Sequence, residues 1–445
     1  MLNTRRKEVT LIVGAGMTGL TAAYFLSRGG EKCLLLEKEE DIGGLCRSYK
    51  LEDIIFDLGP HLFFYNPDFE AERFMMELIK GEDIIKRRFR FAIYTNGKYW
   101  RFPLSLFDLI IYPWEYKKHF VLNYFNKNKK LTGSEKSMEQ DIIMKGGRSY
   151  YEDIFAPMLL KKTLISGKMI HCDWVARVDR DVHNRREPFR EITHGRLFKK
   201  ILASLYQTYY YPLEGFQKFS QKLMEEYRQA GGEIILNCGP LKFEKEDNRI
   251  TGIIVRERSF SLRNVIWTGS INSLNEVLGN NVQKIRYVKT IIVLLTYNQK
   301  ELIHRPFVYV YYPDNELIFN RIYYPGSIYR NKSPFGKEGI CLELNYRDEL
   351  DSMTDENIII RSVKDVERKG LFNRYDLRNS QVVRLGECLP VYDLDYENKM
   401  EEIFSGVRSY SNLYSVGRLG GYFFCMTPAS VAQGMKVARH ILQNS

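Results

Sequence analysis

The sequence predicts an α/β fold in which a Rossmann-like domain is joined to an antiparallel-sheet domain and a helical insert. A strand, a glycine-rich turn, a helix and a second strand follow one another within residues 9–37. Residues 287–299 and 307–324 are rich in β-branched and aromatic side chains, as strands of an antiparallel sheet are. Residues 104–205 lack strand alternation, and we interpret them as an inserted, mostly helical cap.

The glycine-rich turn near the N-terminus has the spacing of a dinucleotide fingerprint. An apolar strand over residues 9–13 leads into Gly14, Gly16 and Gly19, and a helix opens at once. The first glycine permits a tight turn, the second lets the backbone approach a pyrophosphate, and the third allows close helix packing. The phosphates then lie at the positive end of the helix. Glu37, which ends the next strand, is placed to accept hydrogen bonds from ribose hydroxyls.

A second glycine motif, Gly43-Gly44-Leu45-Cys46-Arg47-Ser48, comes directly after that strand. Its backbone amides and the Arg47 guanidinium can reach the same pyrophosphate. With both motifs, the chain resembles the flavoprotein superfamily of amine oxidases, protoporphyrinogen oxidases, phytoene desaturases and UDP-galactopyranose mutases. The resemblance implies that the cofactor is FAD, bound without a covalent link.

The C-terminal residues 417–422 and the helix after residues 426–428 resemble the segment that closes the flavin site in this superfamily. A helix N-terminus aimed at the N1/O2 edge of a flavin stabilises the anionic reduced form. By the resemblance, the residues expected to bind FAD are Gly14, Gly16, Met17, Thr18, Gly19, Glu37, Lys38, Gly43, Gly44, Leu45, Arg47, Gly59, Pro60, His61, Thr268, Gly417, Arg418, Met426 and Thr427. Among these, residues 59–61 are expected near the flavin ring.

The resemblance also predicts how the chain divides between two domains. The predicted FAD-binding domain comprises residues 1–85, 211–285 and 401–445, and the substrate domain comprises 86–210, with the helical cap, and 286–400. Within these segments we predict a hairpin over residues 90–102, because Asn96-Gly97 is a turn signal between apolar runs. We also predict a helix that starts within residues 211–216 and runs to residue 229.

Composition limits the class of protein. The chain has 445 residues, 44% hydrophobic and 27% charged, as expected for a globular protein of two or three joined domains. Seven scattered cysteines fit a reducing compartment, and no group of Cys and His has the spacing of a metal site, so none is expected. The first strand lies close to the N-terminus and no apolar run approaches about 20 residues, so we expect a cytoplasmic protein.

Basic and aromatic residues are interspersed between positions 86 and 130. This window contains eleven Lys or Arg and only two acidic residues, Asp108 and Glu115. Three interpretations stay open: the basic rim of an aromatic core, a peripheral membrane contact, and a wall facing an anionic or lipid-linked small-molecule substrate. Nucleic acid is disfavoured, because no nucleic-acid-binding fold accompanies the window. If the window flanks the substrate entrance, charge reversal at Lys117 and Lys118 should weaken vesicle or substrate association in a salt-dependent way.

Two reaction classes are compatible with the resemblance. The first is an FAD-dependent oxidoreductase that takes electrons from an unidentified organic substrate. The second is a UDP-galactopyranose mutase-like isomerisation of a nucleotide sugar through reduced FAD. Residues 59–63, 266–271 and 417–419 resemble mutase motifs. Residues 319–322 do so as well, and the resemblance implies that Arg321 binds a substrate diphosphate.

The departures from the mutase pattern fall on the nucleotide-sugar site. Mutases carry a tryptophan two residues after the lysine that corresponds to Lys162, and this chain has Leu164 there. Of the mutases' tyrosine pair only Tyr392 remains, and Phe64 stands in place of a second histidine. Each missing stacking or charge-assisted contact removes about 1–3 kcal/mol. We therefore favour the oxidoreductase.

Two residues are candidates for catalysis. His61 could hydrogen-bond the flavin or exchange a proton, because the ordinary pKa of histidine lies near neutrality. Arg321 is the candidate for binding a substrate anion. Three histidines of the predicted cap, His171, His183 and His194, are expected to be structural or on the surface. Only one dinucleotide fingerprint is present, so a second Rossmann domain for NAD(P)H is not expected.

Overall fold

The computed structural model describes residues 8–87, 90–102, 114, 137–174, 208–298, 307–329, 336–346 and 348–444. Much of the predicted cap and of the basic window therefore lies outside the described residues, as do Lys117, Lys118, His183 and His194. Within the described ranges, no helix combines the length and the apolar composition that a bilayer span requires.

The β-strands are numbered in chain order. They are β1 Val9–Val13, β2 Cys33–Leu36, β3 Ser48–Leu51, β4 Ile54–Asp57, β5 Phe63–Phe64, β6 Ile84–Arg87, β7 Phe91–Thr95, β8 Lys98–Phe102, β9 Tyr209–Pro212, β10 Glu233–Ile235, β11 Lys242–Glu246, β12 Arg249–Val255, β13 Arg258–Trp267, β14 Tyr287–Asn298, β15 Tyr309–Tyr311, β16 Arg321–Tyr323, β17 Lys337–Tyr346, β18 Leu377–Pro390 and β19 Leu413–Ser415.

The helices are numbered in the same way. They are α1 Met17–Arg28, α2 Glu70–Leu78, α3 Met138–Gly146, α4 Arg148–Tyr150, α5 Ala156–Thr163, α6 Lys218–Gln229, α7 Ile271–Leu278, α8 Pro325–Tyr329, α9 Asp355–Arg368, α10 Tyr396–Arg408, α11 Gly417–Gly420 and α12 Thr427–Gln443. A π-helical turn, Tyr151–Phe155, joins α4 to α5, and 3₁₀ turns lie at Gly44–Cys46, Gly167–Met169 and Arg374–Asp376.

The first large sheet confirms the predicted Rossmann-like domain. Its strand order is β10-β2-β1-β13-β12-β11, and β19 also pairs with β13. The strands β10, β2, β1, β13 and β19 run parallel, whereas β11, β12 and the first half of β13 form an antiparallel meander. Side chains of β1 alternate between two cores, with Leu11 and Val13 in one and Ile12 in the other. Both faces of this sheet are therefore covered.

The second large sheet has the order β18-β14-β17-β16-β15-β7-β8 and is antiparallel apart from the β15–β7 pair. This sheet confirms the antiparallel part of the predicted fold. Its outer hairpin, β7–β8, is the predicted one, and the turn residues Asn96 and Gly97 have φ values of 52° and 74°. Positive φ at both positions matches the twist of the flanking strands. The residue limits of the five domain segments remain a prediction.

Helix α1 packs against α6 and α12, so the first and last helices of the chain lie side by side. Gly434 of α12 makes this approach possible, because a Cβ there would lie 2.5 Å from the carbonyl oxygen of Thr18. The helix predicted from residues 211–216 begins later, at Lys218. Tyr211 and Pro212 instead belong to β9, which pairs with β6 and β5.

Candidate active site

The turn after β1 has the geometry that its three glycines predict. Gly14 has φ 102°, which L-residues rarely adopt, and its amide donates to the carbonyl of Leu36 at 2.7 Å. A Cβ on Gly19 would collide with the carbonyl oxygen of Gly14. A Cβ on Gly16 would meet nothing within 4 Å. The turn is thus closed at Gly14 and Gly19 and open at Gly16.

The second glycine motif lies directly against this opening. Gly16 and Gly43 form an isolated parallel bridge, and the Gly43 amide donates to the carbonyl of Ala15 at 2.8 Å. No side chain caps the N-terminus of α1, which begins after Gly16. The amides of its first turn therefore face the open side of the turn, where the helix dipole favours an anion.

Charged side chains border the same opening. The Glu37 carboxylate is buried and accepts hydrogen bonds from the amides of Ala15 at 2.7 Å and Glu39 at 3.0 Å. Arg47 is also buried, and its Nε donates to the carbonyl of Gly44 at 3.1 Å. Lys38 is mostly exposed and pairs with Glu39, and Leu45 is half-buried. An acid thus contacts the first glycine motif, and a guanidinium contacts the second.

The C-terminal segment joins the N-terminal motif through direct contacts. Thr18 Oγ1 donates to the carbonyl of Ser430 at 3.1 Å, and a Cβ on Gly417 would lie 2.9 Å from that hydroxyl. Thr268 Oγ1 donates to the carbonyl of Val13 at 2.8 Å, which ties the end of β13 to the fingerprint strand. Met17 is buried in the core of the same domain.

Three features of this region fit a dinucleotide. The N-terminus of α12 at Met426 and Thr427 has no side-chain cap, and the Met426 side chain is 55% exposed. The buried Nε of Arg418 has no hydrogen-bond partner among the described residues. Gly16 leaves an open cradle, as above. An extended anion with polar groups at both ends would satisfy these donors. The individual ligand residues remain predictions.

His61 lies at the end of the motif that follows β4. Its Nδ1 is 3.1 Å from the carbonyl oxygen of Gly59, and its ring packs against Phe216. Burial, together with the Arg418 and Arg321 guanidiniums, lowers the pKa of His61 to about 4. The imidazole is therefore neutral at pH 7. It can donate or accept a hydrogen bond there, but it carries no positive charge.

Arg321 and Glu343 form an ion pair next to Gly59. They are register partners on β16 and β17, and both Nε and Nη2 of Arg321 donate to Oε2 of Glu343. A Cβ on Gly59 would lie 3.4 Å from that oxygen. Burial opposes ionisation of Glu343, but Arg321 and Lys162 outweigh it and hold its pKa below the usual range. The Asn320 amide also donates to the carboxylate, at 3.2 Å.

Aromatic rings form a cage around Lys162, whose charge also acts on Glu343. The Lys162 ammonium lies 5.4 Å from the ring centre of Tyr311 and 5.7 Å from those of Trp174 and Phe424. Arg418 lies over the Phe424 ring at 5.2 Å. No ion pair joins Lys162 or Arg418 to an acidic side chain of the described residues. With Glu343 neutralising Arg321, this region keeps an excess of positive charge.

Two aromatic residues that could be considered for contacts with a nucleotide sugar, Trp174 and Tyr392, are packed against other side chains. Trp174 stacks on Phe424 with ring centres 4.9 Å apart, and its indole donates to the carbonyl of Pro390. Tyr392 is fully buried, stacks on Tyr396, and donates to the carbonyl of Tyr422 at 3.1 Å. Their ring faces are therefore occupied by other side chains of the protein.

The structure places both His61 and Arg321 beside Gly59, and it adds residues that sequence reasoning missed. These are Glu343, Tyr311 and the ring cage around Lys162. A signal for Glu343 existed, because it is a lone acid within the apolar run of β17, where an acid needs a partner. His171 is buried and contacts Tyr396, which agrees with a structural role.

Comparisons with known proteins agree with this architecture. Residues 12–78 match a family model described as an NAD(P)-binding Rossmann-like domain. An L-amino-acid oxidase of Sistrurus catenatus edwardsii is 46% identical over 57 residues, which are 13% of this chain and 11% of the oxidase. A 1-hydroxycarotenoid 3,4-desaturase of a Flavobacterium species is 22% identical over 267 residues, 55% of this chain and 52% of the desaturase. The chain therefore matches between about a tenth and about half of these curated relatives' lengths.

Solved structures are similar over almost the whole chain. Reduced UDP-galactopyranose mutase has a TM-score of 0.77 at 18% identity, covering 99% of this chain and 94% of the mutase. A putative protoporphyrinogen oxidase from Exiguobacterium has a TM-score of 0.76 at 16% identity, covering 99% of both chains. A putrescine oxidase variant has a TM-score of 0.64 at 13% identity, covering 98% and 99%. The chain therefore contains a Rossmann-like domain and shares the fold of UDP-galactopyranose mutase, the putative protoporphyrinogen oxidase and the putrescine oxidase variant.

Proposed function

We propose that this protein is an FAD-dependent oxidoreductase that takes two electrons from an anionic organic substrate. The observation that carries the proposal is the engagement of Arg321 by Glu343. A nucleotide-sugar site needs that arginine for the substrate diphosphate, and here a carboxylate already occupies two of its donors. The main role of Arg321 is therefore to orient Glu343 and Tyr311, and not to bind a doubly charged group.

The two glycine motifs support a position for the cofactor. The diphosphate would lie against Gly16, Gly43 and the N-terminus of α1, where no side chain blocks the approach. Arg418 and the N-terminus of α12 would face the flavin end. FAD would supply the two-electron acceptor, and the protein supplies binding, orientation and electrostatics. Neutral His61 would hydrogen-bond near the flavin without adding charge.

An anionic substrate follows from the charges beside this site. Lys162 and Arg418 are cationic, form no salt bridge with an acidic side chain among the described residues, and lie over the same Phe424 ring. Half-buried cations of this kind attract a carboxylate or phosphate. The rings around Lys162 would exclude water from the bound anionic group. A small-molecule substrate with one anionic group fits these residues.

The second candidate is a UDP-galactopyranose mutase-like isomerisation. Its specific support is the TM-score of 0.77 with reduced UDP-galactopyranose mutase over 99% of this chain, together with the position of Arg321 beside Gly59. Against it stand the ring faces of Trp174 and Tyr392, which are already packed. Stacking on a base needs a free aromatic face.

A donor screen tests the oxidoreductase directly. The oxidised holoprotein is mixed without oxygen with small carboxylated amines, hydroxy acids and their uncharged amide or ester analogues, and the flavin absorbance is followed. We expect bleaching by a carboxylated donor and a much slower reaction with its uncharged analogue. Lys162→Met should reduce the difference in rate between the charged donor and its uncharged analogue. Lys80→Met, which alters an exposed lysine paired with Glu77, should preserve that difference. Bleaching without any preference for charge would contradict the anionic substrate.

A further inference from the structure

Tyr311 is held between two cationic side chains. Its hydroxyl oxygen accepts a hydrogen bond from Nζ of Lys162 at 3.3 Å and from Nη1 of Arg321 at 3.2 Å. The same two cations lie over its ring, at 5.4 Å and 5.3 Å from the centre. Both donors therefore favour a negative charge on the Tyr311 oxygen.

The position of Tyr311 is fixed by neighbouring strands. It is the register partner of Arg321 in the β15–β16 pair, and Arg321 is in turn the partner of Glu343. Glu343 lies close to the space that a side chain on Gly59 would occupy. Arg321 and Glu343 therefore connect Tyr311 to residues 59–61, the motif expected near the flavin ring. Tyr311 is almost fully buried.

We infer that Tyr311 is the acid–base group of this site, present as a phenolate that accepts a proton from the substrate. The inference uses the proposed function for the reaction itself but not for the ionisation of Tyr311. The substrate carbon would lose a hydride while the adjacent O–H or N–H bond breaks, its proton goes to the Tyr311 oxygen, and a C=O or C=N bond forms. FAD, when bound, would supply the acceptor for the hydride and thus for the two electrons that the substrate loses.

The surrounding charges agree with a phenolate. Burial by itself would raise the pKa of Tyr311 and Glu343 acts in the same direction, but Lys162 and Arg321 outweigh both and hold the pKa below its usual range. Tyr309, on the same strand, shares the contact with Arg321, but the Lys162 ammonium donates its hydrogen bond to Tyr311 and not to Tyr309. Substitution of Tyr309 is therefore a matched control for substitution of Tyr311.

The first test is a titration of tyrosinate absorbance in the holoprotein. We expect the wild type to contain one tyrosinate more than Tyr311→Phe over the pH range in which other tyrosines stay protonated. Tyr309→Phe should match the wild type, and Lys162→Met should move the titration to higher pH. Superimposable spectra of the wild type and Tyr311→Phe below the ordinary tyrosine range would overturn the inference, whatever reaction the protein performs.

The second test is the pH profile of flavin bleaching by a donor found in the screen. Tyr311→Phe should slow bleaching about 10²–10⁴-fold and remove the rise of the rate with pH, because the proton acceptor is lost. Tyr309→Phe should keep the profile. An unchanged profile in Tyr311→Phe would overturn the catalytic role. A titrating Tyr311 in a protein that no donor bleaches would contradict the proposed oxidoreductase and the proton transfer together, while the phenolate itself would stand.

Discussion

Arg321 and Glu343 lie opposite each other on β16 and β17 of the second large sheet, and their side chains meet beside Gly59. The pair is mostly buried, with side-chain exposures of 17% and 11%. Arg321 also donates to the Tyr311 hydroxyl and lies over the rings of Tyr309 and Tyr311. One ion pair therefore connects the motif after β4 with three strands of the second sheet.

Breaking this pair should destabilise the protein. Arg321→Met leaves the Glu343 carboxylate buried with its main partner gone, and the expected loss is on the order of 3 kcal/mol in the free energy of unfolding. The double variant Arg321→Met/Glu343→Gln should recover much of the loss, since no unpaired charge remains. Arg28→Met, which breaks an exposed pair, should cost less than about 1 kcal/mol. Denaturant titration measures the free energy of unfolding of all three variants. Equal losses in Arg321→Met and Arg28→Met would contradict the stabilising role of the buried pair.

Gly16 and Gly19 should respond differently to a larger side chain. A Cβ on Gly16 meets nothing within 4 Å, so Gly16→Val should fold normally but lose FAD, because the side chain fills the space of the diphosphate. Gly19→Val should fail to fold, since its Cβ would overlap the Gly14 carbonyl. The flavin-to-protein ratio and the thermal unfolding of the apoproteins separate the two effects. Retention of stoichiometric FAD by Gly16→Val would place the cofactor elsewhere.

The pH dependence of stability should report on His61. Its pKa is about 4 in the folded protein, whereas an unfolded histidine titrates near about 6.5. Between these values the unfolded state binds more protons, so the contribution of neutral His61 is present above pH ~6.5 and is lost as the pH falls towards ~4. It amounts to roughly 3 kcal/mol at most. In His61→Gln the unfolding free energy should depend less on pH in this window. The surface variant His440→Gln is the control, and an equal change there would refute the assignment.

The fingerprint and the closing segment were predictable because glycines with special backbone roles lie at fixed spacing. Gly14, Gly16 and Gly19 each have the geometry that their positions predict. The charge pattern around Arg321 was not predictable in the same way. Its partners come from residues 10 and 22 positions away in sequence, on strands whose register no local pattern specifies.

The cage around Lys162 was missed for a related reason. The comparison with mutase motifs directs attention to the residue two positions after Lys162, where Leu164 offers no ring. The rings come instead from distant residues, Trp174, Tyr311 and Phe424. A sequence motif shows that an expected residue is missing, but it does not show which residues distant in sequence occupy the same region of the structure.

The most direct measurement of the central claim separates oxidation from isomerisation in one preparation. The protein is reduced with dithionite without oxygen and supplied with UDP-galactopyranose, and the products are analysed for the furanose isomer. A parallel oxidised sample receives the carboxylated donors. We predict no furanose in the first sample and flavin bleaching in the second. Formation of the furanose without net redox change, lost in Arg321→Ala, would contradict the account.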